Sequence, residues 1–507
     1  LPKSSRISPV ADVSLTTSQI AGLTGACPLT RYDPQEITGL ASHPAGINRA
    51  GMVFVCMNEF LEYNRWQTWR QHLQMLQNLK LSAVVTPEAI PGLEIPQFMA
   101  SQPRQALAHL AAAFYGYPGR QLDLIGVTGT NGKTTTSRLI DHLSTFCGEG
   151  SGCLGTLGSR ILGREVGKGN YTTPLAPEVM EFLALVRERG GTRAVLEVSS
   201  HALALDRVHG LGFSTAVLTN LERDHLDFHG TEEAYREAKL CLFRAVAADG
   251  LCVINADSPA CAAFVKASGG RVATYGLKSK DADLVGEVIR YDASGSHVRI
   301  SCEGECWEVH SPLAGSFHVE NLLAALLVGK EKGWPIEVMS KAVESFTPVI
   351  GRMERLELAN GCSGIIDYAH NPDGLEQVLK SCRVLCEGTL HVVFGCGGDR
   401  DAGKRSLMGE IASRLADRIW ITSDNPRTED PQKILEAILE GVTPSGKAVS
   451  VEIDRGKAIA AAYEGTRAGD VLLVAGKGHE DYQIVGVEKL PYSDHAELRK
   501  LQDGSAS

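Results

Sequence analysis

Apolar residues in this chain gather into short runs closed off by glycine, proline or polar turns. Stretches of helical period separate the runs, and that rhythm favours buried strands alternating with amphipathic helices. The clearest runs are MVFVC (52–56), SAVV (82–85), LDLIGVT (122–128), AVLEV (194–198), TAVLTN (215–220) and LCVIN (251–255). A second series follows with GIIDYAH (364–370), HVVFG (391–395), RIWIT (418–422) and VLLVAG (471–476). Helices are predicted near 67–78, over 231–247 and near 404–416. Unbroken apolar strands suit a parallel sheet covered on both faces, so the predicted class is α/β with doubly wound sheets.

A chain of 507 residues exceeds what one hydrophobic core supports. The pattern divides it into a first module of βαβ type over 1–119, a central doubly wound domain over 120–345, and a C-terminal Rossmann-like α/β domain over 346–507. The first boundary falls in YGYPGRQ (115–121), which has the glycine and proline of a linker. Hydrophobic content of 43% with 22% charged residues is ordinary for a folded chain. A net charge of -10 gives no general attraction for nucleic acid or an anionic membrane, so the expected ligand is a small anion held by local groups. There is no apolar run long enough to span a bilayer, and the first residues lack the apolar core of a secretory signal. A cytoplasmic monomer without membrane insertion or nucleic-acid partners is the expectation. The 13 cysteines include no Cys-x-x-Cys pair, which argues against a disulfide framework or a zinc site.

Candidate chemistry begins at Gly129-Thr130-Asn131-Gly132-Lys133-Thr134-Thr135, set between a predicted strand and a predicted helix. Backbone N–H groups and the helix N-terminus there can cradle phosphate oxygens, Lys133 can neutralise them, and the Thr134 hydroxyl suits Mg²⁺. Its spacing is shorter than the usual phosphate loop, whose first glycine would fall on Val127. Phosphate loops serve many reactions, so ATP binding alone names none. Two further strand ends add ligand candidates: Glu197 after AVLEV, and His225 in the segment after TAVLTN.

Taken together, GTNGKTTT (129–136), YTTP (171–174), EVSSHAL (197–203), NLERDHLDFHG (220–230) and AYREAKLCLF (234–243) resemble the Mur ligases of peptidoglycan synthesis. GRMERL (351–356), DYAHNPD (367–373), GCGGDRDAGKR (395–405), DNPRTEDP (424–431) and GKGHEDYQ (476–483) are similar to the MurE branch of that family, which adds the third residue of the stem peptide. The resemblance implies a three-domain ATP-dependent ligase whose domains bind, in order, the UDP-sugar, ATP and the incoming amino acid. The carboxylate of UDP-MurNAc-L-Ala-D-Glu would take the γ-phosphate of ATP to form an acyl phosphate, which the amine of meso-diaminopimelate then attacks.

By the same resemblance Lys239 is carbamylated by CO₂ and joins Thr134, Glu197 and His225 in holding Mg²⁺. Lys133, Lys239, His225 and Glu197 are then the catalytic set. Asn321, Arg352 and Asp367 correspond to nucleotide contacts, and Ser42, Thr172, Thr173, Ser199 and Arg207 to contacts with the UDP-muramoyl dipeptide. Arg400, Asp424, Asn425, Arg427, Gly476 and Glu480 correspond to amino-acid contacts. Arg427 is suited to grip the distal carboxylate of diaminopimelate in two-pronged fashion, and Glu480 to meet an ammonium. The chain departs from the family at Ala41-Ser42-His43 and over 57–65, near the uridine. It departs again at His318, Asn371 and Ser406, where Asn, Thr and Pro are commoner. A lysine-adding relative or a folylpolyglutamate-type synthetase is disfavoured by Arg427 and YTTP, and a non-catalytic scaffold by the intact Lys133, Glu197, His225, Lys239 and Arg427.

Overall fold

A computed structural model describes residues 14–43, 46–57, 60–62, 65–67, 76–169, 171–292, 294–443 and 447–502. Its strands form three main sheets, of five, eleven and six strands, with two small hairpins. The five-stranded sheet runs in the order Cys27–Pro28, Gln97–Met99, Leu81–Thr86, Met52–Val55, Gly39–Ala41, parallel except for its first pair. Helix Pro103–Phe114 packs Ala106, Leu107 and Leu110 against Val53, Val55 and Phe98, and its proline stands at the helix start, where no backbone N–H is needed. Of the helix predicted near 67–78, Gln67 instead ends the strand Arg65–Gln67, residues 76 and 77 are helical, and residues 68–75 lie outside the described residues.

At the centre of the eleven-stranded sheet lie the parallel strands Ser151–Gly155, Arg193–Glu197, Asp123–Thr128, Thr215–Leu218, Leu251–Asn255 and Arg271–Gly276. Successive side chains point to opposite faces. Thus Ile125, Val127, Val195 and Val217 meet the helices Lys133–Phe146 and Ser316–Glu331, while Leu124, Leu196 and Leu218 meet Ala176–Glu188 and Glu232–Arg244. Both faces are dry, which is why these strands read as continuous apolar runs. Antiparallel strands extend the sheet at each edge: Gly158–Ile161 and Arg164–Gly167 on one side, and Gly295–Cys302 and Glu305–Ser311, beyond Leu284–Asp292, on the other.

In the six-stranded sheet the order is Glu354–Glu357, Ser363–Asp367, Val471–Ala475, Leu390–Phe394, Arg418–Ile421, Ala448–Val451, parallel beyond the first pair. Helices Pro372–Leu385, Lys404–Leu415 and Pro431–Leu439 cover one face, and Arg455–Glu464 and Asp494–Gln502 the other. The carboxyl ends of the central strands meet this third unit directly, since Asn131 Nδ2 donates to Asp373 Oδ2 at 2.9 Å. Among the described residues no helix is long and apolar enough to cross a membrane.

Candidate functional site

Strand Asp123–Thr128 passes through Gly129–Gly132 into helix Lys133–Phe146. Gly129 (φ 153°) and Gly132 (φ 84°) occupy backbone conformations closed to most residues, and a Cβ there would run into Thr219 Oγ1 and Asn321 Oδ1 respectively. Asn220 shapes the turn between them: its Oδ1 takes the N–H groups of Thr130 (3.1 Å) and Asn131 (2.8 Å), and its backbone carbonyl also accepts from Thr130 at 3.1 Å. Lys133 curls back so that Nζ donates to the carbonyls of Gly129 and Thr130, each at 2.8 Å. Burial pulls its pKa down to about 8. Thr134 donates to Glu197 Oε2 at 3.0 Å, and Glu197 also accepts from the backbone and hydroxyl of Thr156, both at 3.0 Å.

Lys239 lies on helix Glu232–Arg244, whose N-terminus is capped by the Thr231 hydroxyl. Its side chain reaches under the loop, 1% exposed, and Nζ donates to the Gly129 carbonyl at 2.8 Å. Burial, with Lys133 nearby, drives its pKa well below the usual lysine value. His225 adopts a left-handed backbone (φ 54°), its N–H bonded to Asp224 Oδ1 at 2.8 Å and its ring edge-on to His201 at 4.8 Å. Burial lowers the pKa of His225; on Asp224 burial acts upward, but the neighbouring His225, His370 and Lys404 hold its carboxyl below the usual carboxylate range.

No cluster of three or more His, Cys, Asp or Glu side chains with metal-binding geometry occurs among the described residues. The Thr134 hydroxyl and Glu197 carboxylate are nonetheless a hard oxygen pair of the kind Mg²⁺ takes when substrate phosphates and water complete its shell. Lys239 as an ammonium is a donor and cannot ligate; only its carbamate would.

A cavity of about 430 Å³ runs from the phosphate loop to the third unit, and Gly129, Thr173, Glu197 and Lys239 stand behind its lining rather than in it. The structure brings Thr130 to Thr135, Thr172, Ser199, Arg207, His225, Asn321, Arg352, Asp367 and Arg400 to its walls. Arg352 crosses from the third unit to within 3.4 Å of Thr134 Oγ1 and lies over the Tyr368 ring. Asp367 accepts the N–H groups of Met353 (2.8 Å) and Ala369 (2.7 Å), so it shapes the strand end as well as facing the cavity. Thr136 bonds to Asn321 at 3.3 Å. Thr173 donates to the Glu197 carbonyl at 2.7 Å, and Arg207 to the Thr173 carbonyl at 2.8 Å. His318 is buried beside them, and burial with Arg352 depresses its pKa to about 3. Ser42 is not part of this lining. It follows strand Gly39–Ala41, and residues 58, 59, 63 and 64 of the segment 57–65 lie outside the described residues.

The amino-acid set forms a second cluster at the ends of Leu390–Phe394, Arg418–Ile421 and Val471–Ala475. Arg427 (φ 52°) sits beside the hairpin Tyr482–Val485 and Glu488–Pro491: its N–H donates to Ile484 O at 3.0 Å and its carbonyl accepts from Gly486 at 2.7 Å. Its guanidinium donates to Gly398 O at 2.8 Å. A Cβ on Gly397 would stand 2.7 Å from Arg427 Nη1 and 3.7 Å from Arg400 Cγ, so the two arginines flank one glycine. Burial and the proximity of Arg427 lower the Arg400 pKa. Gly476 (φ 119°) lets Asp424 approach, since a Cβ there would be 3.0 Å from its carboxylate. Within the protein Glu480 already faces an ammonium, since Lys477 Nζ lies 3.2 Å from Glu480 Oε2, 3.4 Å from Asp424 and 3.1 Å from Asn425 Oδ1.

Sequence reasoning did not single out Asn220, Thr156, Asp224 or Lys477. For Asn220 the signal was present, as a polar residue closing an apolar strand. Lys477 lies within GKGHEDYQ, three residues from Glu480, but its pairing with Asp424 and Asn425, about fifty residues away, had no signal in the sequence.

Two family models match the chain: the Mur ligase middle domain over residues 127–329 and the Mur ligase glutamate ligase domain over residues 351–478. A UDP-N-acetylmuramoyl-L-alanyl-D-glutamate--2,6-diaminopimelate ligase of Thermosynechococcus vestitus is 46% identical over 424 residues, covering 83% of this chain and 84% of the relative. The protein of that name from Parasynechococcus marenigrum is 41% identical over 482 residues, covering 92% and 95%. A solved structure of a ligase with the same name superposes with a TM-score of 0.65 at 31% identity, covering 97% of this chain and 99% of the other. A Mycobacterium tuberculosis folylpolyglutamate synthase with ADP and AMPPCP shares the fold, with a TM-score of 0.61 at 19% identity over 73% of this chain and 91% of its own.

Proposed function

The chain belongs to the Mur ligase family, and on that premise we propose that it joins meso-2,6-diaminopimelate to UDP-MurNAc-L-Ala-D-Glu at the expense of ATP, in cytoplasmic peptidoglycan precursor synthesis. The observation that carries the reading is a single cavity lined both by the phosphate loop of the central unit and by Arg400 of the third. A phosphorylated carboxylate and an incoming amino acid can meet there.

In this reading the D-Glu carboxylate attacks the γ-phosphate and ADP leaves. The diaminopimelate amine then attacks the acyl phosphate carbonyl and phosphate departs. Each step gathers negative charge on oxygen, so positioned cations and backbone N–H groups do most of the work. Lys133 exchanges its two carbonyl partners for phosphate oxygens, and the N–H groups at the start of helix Lys133–Phe146 face the same anion. Mg²⁺, when bound, neutralises charge on the phosphates, with Thr134 and Glu197 suited to one ion and His225 and a Lys239 carbamate to a second. Carbamate formation needs an uncharged amine: R–NH₂ and CO₂ give R–NH–COO⁻ and a proton. Burial supports this by favouring the uncharged form of Lys239. Arg427, with Arg400 beside it, would hold the distal carboxylate of diaminopimelate, which L-lysine lacks.

The test is phosphate release with UDP-MurNAc-L-Ala-D-Glu and ATP, comparing meso-diaminopimelate with L-lysine and following the tripeptide product by mass. Product with diaminopimelate and little with lysine is expected. Product with lysine alone, or with neither, overturns the assignment. Full activity in Lys239→Ala, or in CO₂-depleted enzyme shown by mass to carry no adduct, removes the carbamate from the scheme.

A further inference from the structure

Asn371 stands where the third unit meets the phosphate loop, and none of the roles above uses it. It is the N-cap of helix Pro372–Leu385, 1% exposed, with Oδ1 accepting the Gly374 N–H at 2.8 Å. Capping requires only that oxygen, and a serine or threonine hydroxyl would serve as well. The amide nitrogen is engaged too. Nδ2 donates to Asp224 Oδ2 at 2.9 Å and to Asn131 Oδ1 at 3.2 Å.

These two acceptors belong to different loops of the central unit. Asn131 is in the phosphate loop, and Asp224 precedes His225, whose N–H its other oxygen accepts at 2.8 Å. Asn131 answers by donating to Asp373 in the first turn of the helix that Asn371 caps, at 2.9 Å. One side chain thus directs its donors to two segments of the central unit, while its oxygen caps the third unit's helix and also accepts from Asn131 Nδ2 at 3.4 Å. A hydroxyl has a single donor and cannot copy this. The ion pairs that cross between these units are longer, Arg223 with Asp401 at 3.5 Å, Lys168 with Asp481 at 3.7 Å and His370 with Asp224 at 3.8 Å, and Arg223 and Lys168 are exposed, so they hold less well.

We propose that Asn371 is a positioning residue that latches the third unit onto the phosphate loop and the Asp224–His225 turn, so that Arg352 and the loop act on one nucleotide together. The proposal rests on reading the cleft as the ATP site, and the experiment separates the two. Asn371→Thr keeps a cap and loses at least one amide donor; Asn131→Ala removes the loop partner and leaves the helix untouched. Steady-state kinetics, thermal midpoints and small-angle scattering are compared for the full-length wild type, both variants and the double variant. For Asn371→Thr the expected result is a fall in kcat/KM for ATP of about tenfold to a hundredfold, the worth of one hydrogen bond to a charged group. A thermal midpoint close to wild type and a larger radius of gyration, even without nucleotide, should accompany it. The double variant should be no worse than the poorer single one, because both changes break the same connection. Wild-type kcat/KM and radius in Asn371→Thr overturn the latch, as do losses that multiply in the double variant. Should wild type form no product from ATP, the functional reading fails, and the scattering comparison still decides the latch.

Discussion

At the phosphate loop Lys133 and Lys239 turn their amino groups to the backbone carbonyls of Gly129 and Thr130, and among the described residues neither has an ion pair. In the third unit two buried cations are matched instead. Lys477 lies between Asp424 and Glu480, and Arg455 is joined to Asp494 with both side chains fully buried. Neutral carbonyls hold Lys133 without cancelling its charge, so at that lysine the first arrangement leaves positive potential for an arriving polyanion, while burial favours the uncharged form of Lys239. The second consumes its charge internally and returns it as rigidity around a pocket. Burial of charge therefore means two things in one molecule: readiness for a ligand at the loop, and architecture beneath the amino-acid cluster.

The contrast is open to attack in order of expected effect. Asp494→Ala strands the Arg455 guanidinium in the core and should lower unfolding free energy by about 3–5 kcal/mol, read from a denaturant titration. A loss too small to measure would erase the distinction. Lys133→Ala should do the reverse, reducing kcat by roughly 10²–10³-fold, as removal of a preorganised charge-stabilising donor does, with the denaturation midpoint little moved. Arg427→Ala should raise the KM for diaminopimelate by about tenfold to a hundredfold while leaving that for ATP near wild type. Equal effects on both substrates would mean the arginine is structural. The mildest effect is one of pH. Lys133, with its pKa lowered to about 8, carries its charge below that pH and loses it above. A plot of kcat/KM for ATP should accordingly be level below about pH 8 and fall roughly tenfold per unit beyond it; a profile still level well above pH 8 would show that burial does not tune this lysine.

What could be read in advance depended on how local each feature is. Strands such as Asp123–Thr128 and Leu390–Phe394 are buried along their whole length, so their composition alone marks them. The antiparallel strands between Leu284 and Ser311 went unnoticed because they are half exposed: Gly295–Cys302 alternates buried and exposed positions in its second half, and Leu284–Asp292 turns outward. The phosphate loop is legible since seven consecutive residues make it. The Asn220 side chain that shapes it, ninety residues distant, enters only through strand order. Asp424 and Glu480 were legible as motif residues, but the link between them through Lys477, local to Glu480 and distant from Asp424, was not, because topology sets its Asp424 half.

Arg427 carries one more implication. Its backbone is clamped on both sides by the hairpin, through Ile484 and Gly486, in a left-handed conformation that few residues accept. Side chain and hairpin therefore form one exchangeable cassette. Transplanting another amino-acid preference onto this scaffold would mean moving segments 424–427 and 482–491 together, since a new residue at position 427 alone inherits a posture made for arginine.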